Sequence, residues 1–295
     1  MAACWDELAA RSGGRGDVFG HSREGRPLRA WTFPVGAPGV EPPRVLLLSL
    51  LHPMEWIGRS LHFALLESLL TEERPPSAGF EIVSVPEANP DGTARVETAL
   101  LRGRPCWVRG NAAGVDLNRN FPLHHRRRAR WLDWWPMWNP GPEPASEPET
   151  RALSDLFGTV RPSVALSLHS FGRWFFYPPA AHRSPDPGSA AHARCLAAAR
   201  APGYRSAQLG RWAWWFRAYG TEIDTLADRG ALAFLVEISR GGIGKWPGSR
   251  LLDPFCLFNP PDPEPETARL LPALRTLLQT ALTEEYPVQG RNWKT

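Results

Sequence analysis

Short apolar runs alternate along the chain with longer segments in which apolar residues recur at helical spacing. A continuous apolar run is typical of a strand that is covered on both faces of a sheet. Four such runs predict buried strands, over residues 45–51, 80–86, 164–168 and 232–236.

The segments between these runs predict helices. In the first of them Ile57, Leu61 and Leu65 recur four residues apart, as on one face of a helix. In the second, Ser146-Glu-Pro-Glu149 has the form of a capping box with proline in the first turn. Helices are predicted over residues 56–73, 146–160, 190–199 and 265–284.

The alternation of strands and helices predicts an α/β fold with a sheet that is mainly parallel in its core. The chain shows no internal repeat and no long linker, so we expect a single domain over residues 1–295.

Composition adds two features to this picture. The 295 residues include 31 prolines and 14 tryptophans, which predicts many turns and many large rings that are buried or offered to a ligand. A hydrophobic share of 43% excludes a disordered chain, and a net charge of +4 does not by itself indicate nucleic acid. The four scattered cysteines form no C-x-x-C pair and suit a reducing compartment.

The amino terminus lacks the basic start and the apolar run of a signal peptide. The apolar runs of the chain are also too short to cross a membrane. We therefore expect a cytoplasmic protein without membrane contact.

Chemically active side chains stand at the ends of the predicted strands. His52 and Glu55 follow the first strand, His169 follows the third, and Glu237 ends the fourth. Ligands of open α/β sheets bind at the carboxyl ends of the strands, so these four side chains are expected to meet at one edge. Two histidines and one carboxylate form a catalytic zinc set with an open position for water. We predict one Zn²⁺ per chain, held by His52, Glu55 and His169.

Glu237 and three further residues suit the chemistry of such a site. A carboxylate within an apolar run is costly unless it is paired or functional, and Glu237 beside an activated water would act as a general base and then as an acid. In the segment 114–122, Arg119 can grip a carboxylate and Asn118 adds a neutral donor. Arg109 is placed to meet an oxyanion.

In this order the motifs resemble the zinc carboxypeptidase family, of the carboxypeptidase A type, in a bacterial cytoplasmic branch without a propeptide. The motifs are Gly20-His-Ser-Arg-Glu-Gly-Arg-Pro-Leu28, His52-x-x-Glu55-Trp-Ile, Asn89-Pro-Asp-Gly92, Arg109-Gly-Asn-Ala-Ala-Gly-Val-Asp-Leu-Asn-Arg-Asn-Phe-Pro122, Ser146-Glu-Pro-Glu-Thr150, Leu168-His169-Ser170 and Val236-Glu237. The resemblance covers residues 18–240. It implies one mixed, mostly parallel eight-stranded sheet flanked by helices, with the zinc site at the carboxyl ends of the strands.

The resemblance also implies roles for single residues. It makes His52, Glu55 and His169 the zinc ligands and Asp116 the carboxylate that orients His52. It makes Glu237 the general base and acid.

For the substrate, the resemblance makes Asn118 and Arg119 the clamp for the terminal carboxylate and Arg109 the cation beside the oxyanion. Ile223 corresponds to the family's side-chain pocket.

The sequence departs from the family pattern at two places. Met54 stands where digestive relatives carry an arginine that positions longer substrates. The family's mobile tyrosine has no clear counterpart: Tyr219 is the nearby phenol, and Phe216 or Trp215 are the alternatives for its place.

The predicted function is zinc-dependent hydrolysis of the C-terminal amide bond of a peptide or peptide-like substrate with a free carboxylate. A narrower alternative is a cytoplasmic amidase that cuts the γ-D-glutamyl–diaminopimelate bond of cell-wall peptides. An alternative of another class is a non-catalytic peptide-binding module.

The segment 124–138 combines a run of arginines with several tryptophans and is the remaining unexplained feature. It allows a nucleic-acid binder, although the mild charge argues against one and no nucleic-acid partner is expected. A loop that walls the active site is the other interpretation. Seven tryptophans fall in two segments that are expected to flank the site: Trp131, Trp134, Trp135, Trp138, Trp212, Trp214 and Trp215.

Overall fold

The computed structural model describes residues 2–37, 39, 41–71, 79–126, 138–185, 188–242, 245 and 253–284. Its strands are β1 (Arg15–His21), β2 (Pro27–Val35), β3 (Arg44–Ser49), β4 (Phe80–Val85), β5 (Val164–His169), β6 (Trp174–Tyr177), β7 (Arg205–Gln208) and β8 (Leu232–Glu237). Its helices are α1 (Ala2–Arg11), α2 (Trp56–Leu70), α3 (Pro90–Leu101), α4 (Pro148–Val160), α5 (Ser189–Ala199), α6 (Glu222–Asp228), α7 (Pro254–Phe258) and α8 (Glu264–Thr283).

The eight described strands form one sheet in the order β1-β2-β4-β3-β5-β8-β6-β7. Parallel pairs join β3 to β4 and β5, β5 to β8, and β6 to β7. Antiparallel pairs join β1 to β2, β2 to β4, and β6 to β8. The mixed, mostly parallel eight-stranded sheet flanked by helices confirms the predicted fold class.

The four strands predicted from apolar runs are β3, β4, β5 and β8, and they occupy the middle of the sheet. Leu47 and Leu166 belong to an apolar cluster that includes residues of α2 and α8. Leu46 and Ala165 belong to a second cluster that includes residues of α4 and α6. Because both faces of these strands are covered, their sequences are apolar without alternation.

The edge strands escaped prediction because their sequences carry polar and exposed residues. The residues of β1 are mostly exposed, and β6 and β7 are only four residues long. Short, exposed edge strands are weakly marked in sequence and resist pairing with other chains.

The predicted capping box at Ser146 is wrong. Helix α4 begins at Pro148 with Glu147 at the N-cap and no side-chain cap bond. The Ser146 hydroxyl donates to Glu147 Oε1 at 2.9 Å, and the carboxylate of Glu147 also accepts from Arg23 and Asn111. The serine therefore serves a buried polar network instead of the helix terminus.

Three chain segments deliver the predicted site residues to one edge of the sheet. His52 and Glu55 lie between β3 and α2, with Glu55 at the N-cap of α2. His169 ends β5 and pairs in register with Glu237, which ends β8. The carboxyl ends of parallel strands thus meet as predicted.

Among the described helices, none has both the length and the apolar character needed to cross a membrane. Residues 127–137 lie outside the described part of the chain, and with them Trp131, Trp134, Trp135 and most of the basic run. The predicted helix 56–73 is α2, which ends at Leu70 with Thr71 as its C-cap, so the predicted end is too late; residues 72–73 lie outside the described part of the chain.

Candidate metal centre

His52, Glu55 and His169 converge at the carboxyl edge of the sheet, and each is buried. Their ligand atoms all lie within 4.8 Å of one another. Nδ1 of His52 is 3.0 Å from Oε1 of Glu55, and Nδ1 of His169 is 3.0 Å from Oε2 of the same carboxylate. The two Nδ1 atoms are themselves 3.0 Å apart. Two imidazole nitrogens and one carboxylate turned toward one point form a donor set that suits a catalytic zinc ion.

The far sides of both imidazoles face further carboxylates. Nε2 of His52 lies 3.1 Å from Oδ1 of Asp116. Nε2 of His169 lies 3.2 Å from Oε1 of Glu222 and 3.0 Å from the hydroxyl of Ser167. Carboxylates in this position hold a ring in the orientation that presents its other nitrogen to a metal. The structure therefore brings Asp116 to His52 and adds a second such carboxylate at His169.

The charges in this buried cluster strongly shift the pKa values of its side chains. Burial opposes charge on His169, but the carboxylates of Glu222 and Glu55 outweigh it and raise the pKa of His169 to about 10. Burial would raise the pKa of Glu55, but His52 and His169 hold it well below its usual range. A cation is thus favoured at the centre of the cluster.

Glu237 is partly buried beside this cluster at the end of β8. Burial and then the charge of Glu55 raise its pKa to about 8. Its Oε2 atom has no hydrogen-bond partner among the described residues. A carboxylate of this kind can hold a proton near neutral pH, and this is what a general base and acid requires.

Arg109 contacts the cluster and interacts electrostatically with Glu237. Its Nε donates to Oδ2 of Asp116 at 2.9 Å, and one terminal nitrogen is 3.6 Å from Oε1 of Glu55. Burial would lower the pKa of Arg109, but the charges of Asp116 and Glu55 raise it, so the guanidinium stays charged.

A cavity of about 440 Å³ opens beside these groups. Three charged side chains and a wall of rings line it, together with Leu209 and Gly172. The charged residues are Arg109, Arg119 and Glu237, and the rings belong to Trp138, Phe171, Trp174, Phe176, Trp212 and Phe216. The cavity is therefore lined by both ionic groups and aromatic rings.

Asn118 and Arg119 lie on a short 3₁₀ turn, Leu117–Arg119, capped by Asp116. The guanidinium of Arg119 stands over the ring of Trp138 at 5.6 Å and lines the cavity. The side chain of Asn118 is buried and accepts from the backbone N–H of Glu222 at 3.2 Å. One short turn thus links the cavity to both histidine ligands through Asp116 and Glu222.

Three residues predicted or discussed from the family pattern are not among the described residues that line the cavity. The hydroxyl of Tyr219 accepts from Arg126 at 3.2 Å, and Tyr219 is not among the described residues that line the cavity, whereas Phe216 is. Ile223 is fully buried in the apolar cluster that also contains Phe121 and Phe157. Met54 is buried in a third apolar cluster. The roles of Tyr219 and Ile223 stay predictions.

Sequence reasoning missed Glu222. In the sequence it stands between Thr221 and Ile223, where no metal-binding motif marks it. The available signal was a carboxylate at the first position of a short helix that is otherwise buried, and that burial becomes visible only when α6 is packed against β5 and β8.

Comparison with known proteins extends this picture. The family model described as zinc carboxypeptidase matches residues 1–247. A zinc carboxypeptidase of Simulium vittatum is 28% identical over 178 residues, which cover 55% of each chain. Murein peptide amidase A of Escherichia coli K12 is 37% identical over 70 residues, or 21% of this chain and 29% of that protein. The matched part therefore spans about half or less of these relatives.

Solved structures show the same fold. A carboxypeptidase A from Helicoverpa armigera superposes with a TM-score of 0.72 at 21% identity, covering 94% of this chain and 71% of that one. A murein-tripeptide amidase from Escherichia coli O157 superposes with a TM-score of 0.53 at 21% identity, covering 92% of this chain and 93% of that one.

Proposed function

Because this chain belongs to the zinc carboxypeptidase family, we propose that it hydrolyses the last amide bond of a peptide or peptide-like substrate that ends in a free carboxylate. One observation carries the proposal: the cluster of His52, Glu55 and His169 lies directly beside Glu237 and Arg109, and these two residues line one cavity. The family is zinc-dependent, and these three residues would hold the ion.

Different residues of the chain carry different steps of the proposed reaction. A zinc ion held by these residues would polarise the scissile carbonyl and lower the pKa of water, so that water could lose a proton and become a nucleophile at neutral pH. Glu237 takes a proton from the attacking water and returns it to the departing amine as the C–N bond breaks. Arg109 faces the carbonyl oxygen as negative charge develops on it.

Arg119, which lines the same cavity, is expected to bind the terminal carboxylate of the substrate. Arg119 offers a planar pair of donors that matches a terminal carboxylate, and Asn118 stands next to it on the same turn. The aromatic wall beside them favours a large apolar side chain on the residue that is released. We therefore expect peptides with an aromatic or large apolar C-terminal residue to be the better substrates.

A second candidate function is hydrolysis of the γ-D-glutamyl–diaminopimelate bond of cell-wall peptides. It is favoured by the 37% identity over 70 residues with a murein peptide amidase. The aromatic wall of the cavity argues against it, because diaminopimelate carries a charged amino acid group at the end of its side chain. The cytoplasmic location that would suit this function stays a prediction.

Exchange of Glu237 for glutamine tests the mechanism. Glu237→Gln keeps the shape of the side chain but removes the base, so the variant should retain one zinc per chain and lose at least about 100-fold in turnover. Metal analysis of the purified variant measures its zinc content. Mass spectrometry of a mixture of C-terminal peptides and cell-wall tripeptide measures its turnover. Treatment with a chelator should abolish turnover, and added zinc should restore it.

Glu264→Gln, on the exposed first turn of α8, is the control and should turn over normally. Undiminished turnover in Glu237→Gln would contradict the mechanism. Tight peptide binding with no hydrolysis by the unsubstituted chain would support a peptide-binding module in its place. A salt-dependent complex with single-stranded DNA would support the nucleic-acid interpretation of residues 124–138.

A further inference from the structure

The carboxylate of Glu222 is buried at a place where the proposed reaction does not use it. The side chain is fully buried at the first position of α6, and it is not among the described residues that line the cavity. Its Oε2 atom has no hydrogen-bond partner among the described residues. A buried, incompletely bonded carboxylate is costly and calls for a compensating role.

The carboxylate of Glu222 contacts the far side of His169 and also interacts with the hydroxyl of Ser167. Its Oε1 atom is 3.2 Å from Nε2 of that ring, while Nδ1 of the same ring points to Glu55 and to His52. The ring of His169 thus lies between a carboxylate on either side.

The chemistry of this contact decides where the proton of the ring sits. An ionised carboxylate only accepts hydrogen bonds, so the hydrogen between Oε1 and Nε2 must belong to the ring. When the ring gives up its other proton to bind a metal, the lone pair is then on Nδ1, facing Glu55 and His52. Ser167, 3.0 Å from the same Nε2, cannot impose this arrangement alone, because a hydroxyl both donates and accepts.

We propose that Glu222 is a positioning residue for the metal centre, which holds His169 in the Nε2–H tautomer just as Asp116 holds His52. The centre then has a carboxylate behind each histidine ligand, one from the turn before Leu117–Arg119 and one from α6. This inference rests on the proposed function, because it takes His169 to be a zinc ligand.

Zinc affinity tests the inference directly. Glu222→Gln preserves the size of the side chain but can present either an oxygen or an N–H to the ring, so it no longer selects the tautomer. We expect zinc to bind about 10-fold more weakly in Glu222→Gln and up to about 100-fold more weakly in Glu222→Ala, as measured by competition with a chromophoric chelator. The absorption spectrum of the cobalt-substituted protein should change in both variants.

Matched variants separate positioning from general damage. Asp228→Asn, at the exposed end of the same helix, should bind zinc normally, and Asp116→Asn should weaken binding by a similar factor to Glu222→Gln. Circular dichroism of each metal-free variant shows whether it folds. If Glu222→Ala does not fold, the zinc affinity of Glu222→Gln alone tests the role of Glu222. Zinc affinity within twofold of the unsubstituted chain in a folded Glu222→Gln would overturn the inference.

His169→Ala distinguishes this failure from a failure of the proposed function. If His169→Ala loses zinc while Glu222→Gln keeps it, the metal centre stands and the role of Glu222 is wrong. If His169→Ala binds zinc as tightly as the unsubstituted chain, the proposed metal centre itself is wrong.

Discussion

Two buried histidines of this protein have opposite preferences for charge because their neighbours differ. His62 is fully buried between the hydroxyls of Ser49 and Ser84, at 2.9 and 2.8 Å, and burial lowers its pKa to about 3. His169 is equally buried, yet adjacent carboxylates raise its pKa to about 10. Neutral hydroxyls satisfy the hydrogen bonds of a ring without stabilising a charge, whereas carboxylates do both.

The low pKa of His62 predicts sensitivity to acid. The unfolded chain takes up a proton at this residue near pH 6.5, but folded His62 resists protonation until about pH 3. Because the unfolded state then binds more protons, the folded state loses stability as the pH falls from 6.5 toward 3. The loss should reach about 1.4 kcal/mol per pH unit for this residue alone.

Urea unfolding of the metal-free chain at a series of pH values measures this slope. In His62→Gln the slope should become shallower over this range, even though the variant is less stable overall. His21→Gln, which removes an exposed histidine, should leave the slope unchanged. An equal slope in His62→Gln and in the unsubstituted chain would show that another group causes the acid sensitivity.

At the scale of elements, α4 ends on a residue in an unfavourable backbone conformation. Its C-cap residue Arg161 has φ 47° and ψ 60°, while its N–H donates to the carbonyl of Phe157. A side chain with a Cβ atom adopts this left-handed conformation at a cost, whereas glycine adopts it readily. Arg161→Gly should therefore raise the free energy of unfolding by about 0.5–1 kcal/mol.

Thermal and urea unfolding of Arg161→Gly and Arg161→Ala measure this effect. Both variants remove the same exposed side chain, but alanine keeps the Cβ atom and should not stabilise the protein. A glycine variant no more stable than the alanine variant would show that the strain at this helix end is compensated elsewhere.

The strands and helices also differ in how clearly the sequence predicts them. The middle strands of the sheet were predicted because burial on both faces removes polar residues from a run such as β3. The edge strand β1 was not predicted, because it is exposed and its sequence mixes charge with glycine. The helix α3 is marked by Asn89, whose side chain caps it, and by Pro90 at its first turn, but it lacks a strong apolar period.

The residues of the candidate site also differ in whether the sequence predicts them. His52, Glu55, His169 and Glu237 could be predicted together because each follows or ends an apolar run, which places it at the carboxyl edge. Glu222 could not, because its contact with His169 depends on how α6 packs against the sheet. The sequence spacing of Tyr219 likewise gave no indication that its hydroxyl meets Arg126.

At the scale of the whole molecule, the two large apolar clusters occupy opposite faces of the sheet and leave its carboxyl edge for chemistry. Aromatic residues from distant parts of the chain then close one side of the cavity. Phe216 contacts both Trp138 and Trp212, with ring centroids 5.9 and 5.2 Å apart, and Trp212 also meets Phe176 of β6 at 6.2 Å. The wall is thus continuous although its rings are far apart in sequence.

This continuity predicts a selective effect of one tryptophan. Trp212→Ala should lower kcat/KM about 10-fold for a peptide that ends in phenylalanine, because the large side chain loses a ring it packs against. The same variant should change kcat/KM little for a peptide that ends in alanine, which does not reach the wall. Steady-state kinetics on this pair of peptides, together with metal analysis, measure the difference.

Trp214 offers a matched control within the same segment. Its side chain is 80% exposed, compared with 41% for Trp212, and it is not among the described residues that line the cavity. Trp214→Ala should therefore have the same kcat/KM as the unsubstituted chain for both peptides. If Trp212→Ala lowers kcat/KM equally for the two peptides, the wall supports the fold of the site rather than its choice of substrate. If Trp214→Ala reproduces the selective loss, the substrate extends across the exposed rings instead of entering the cavity.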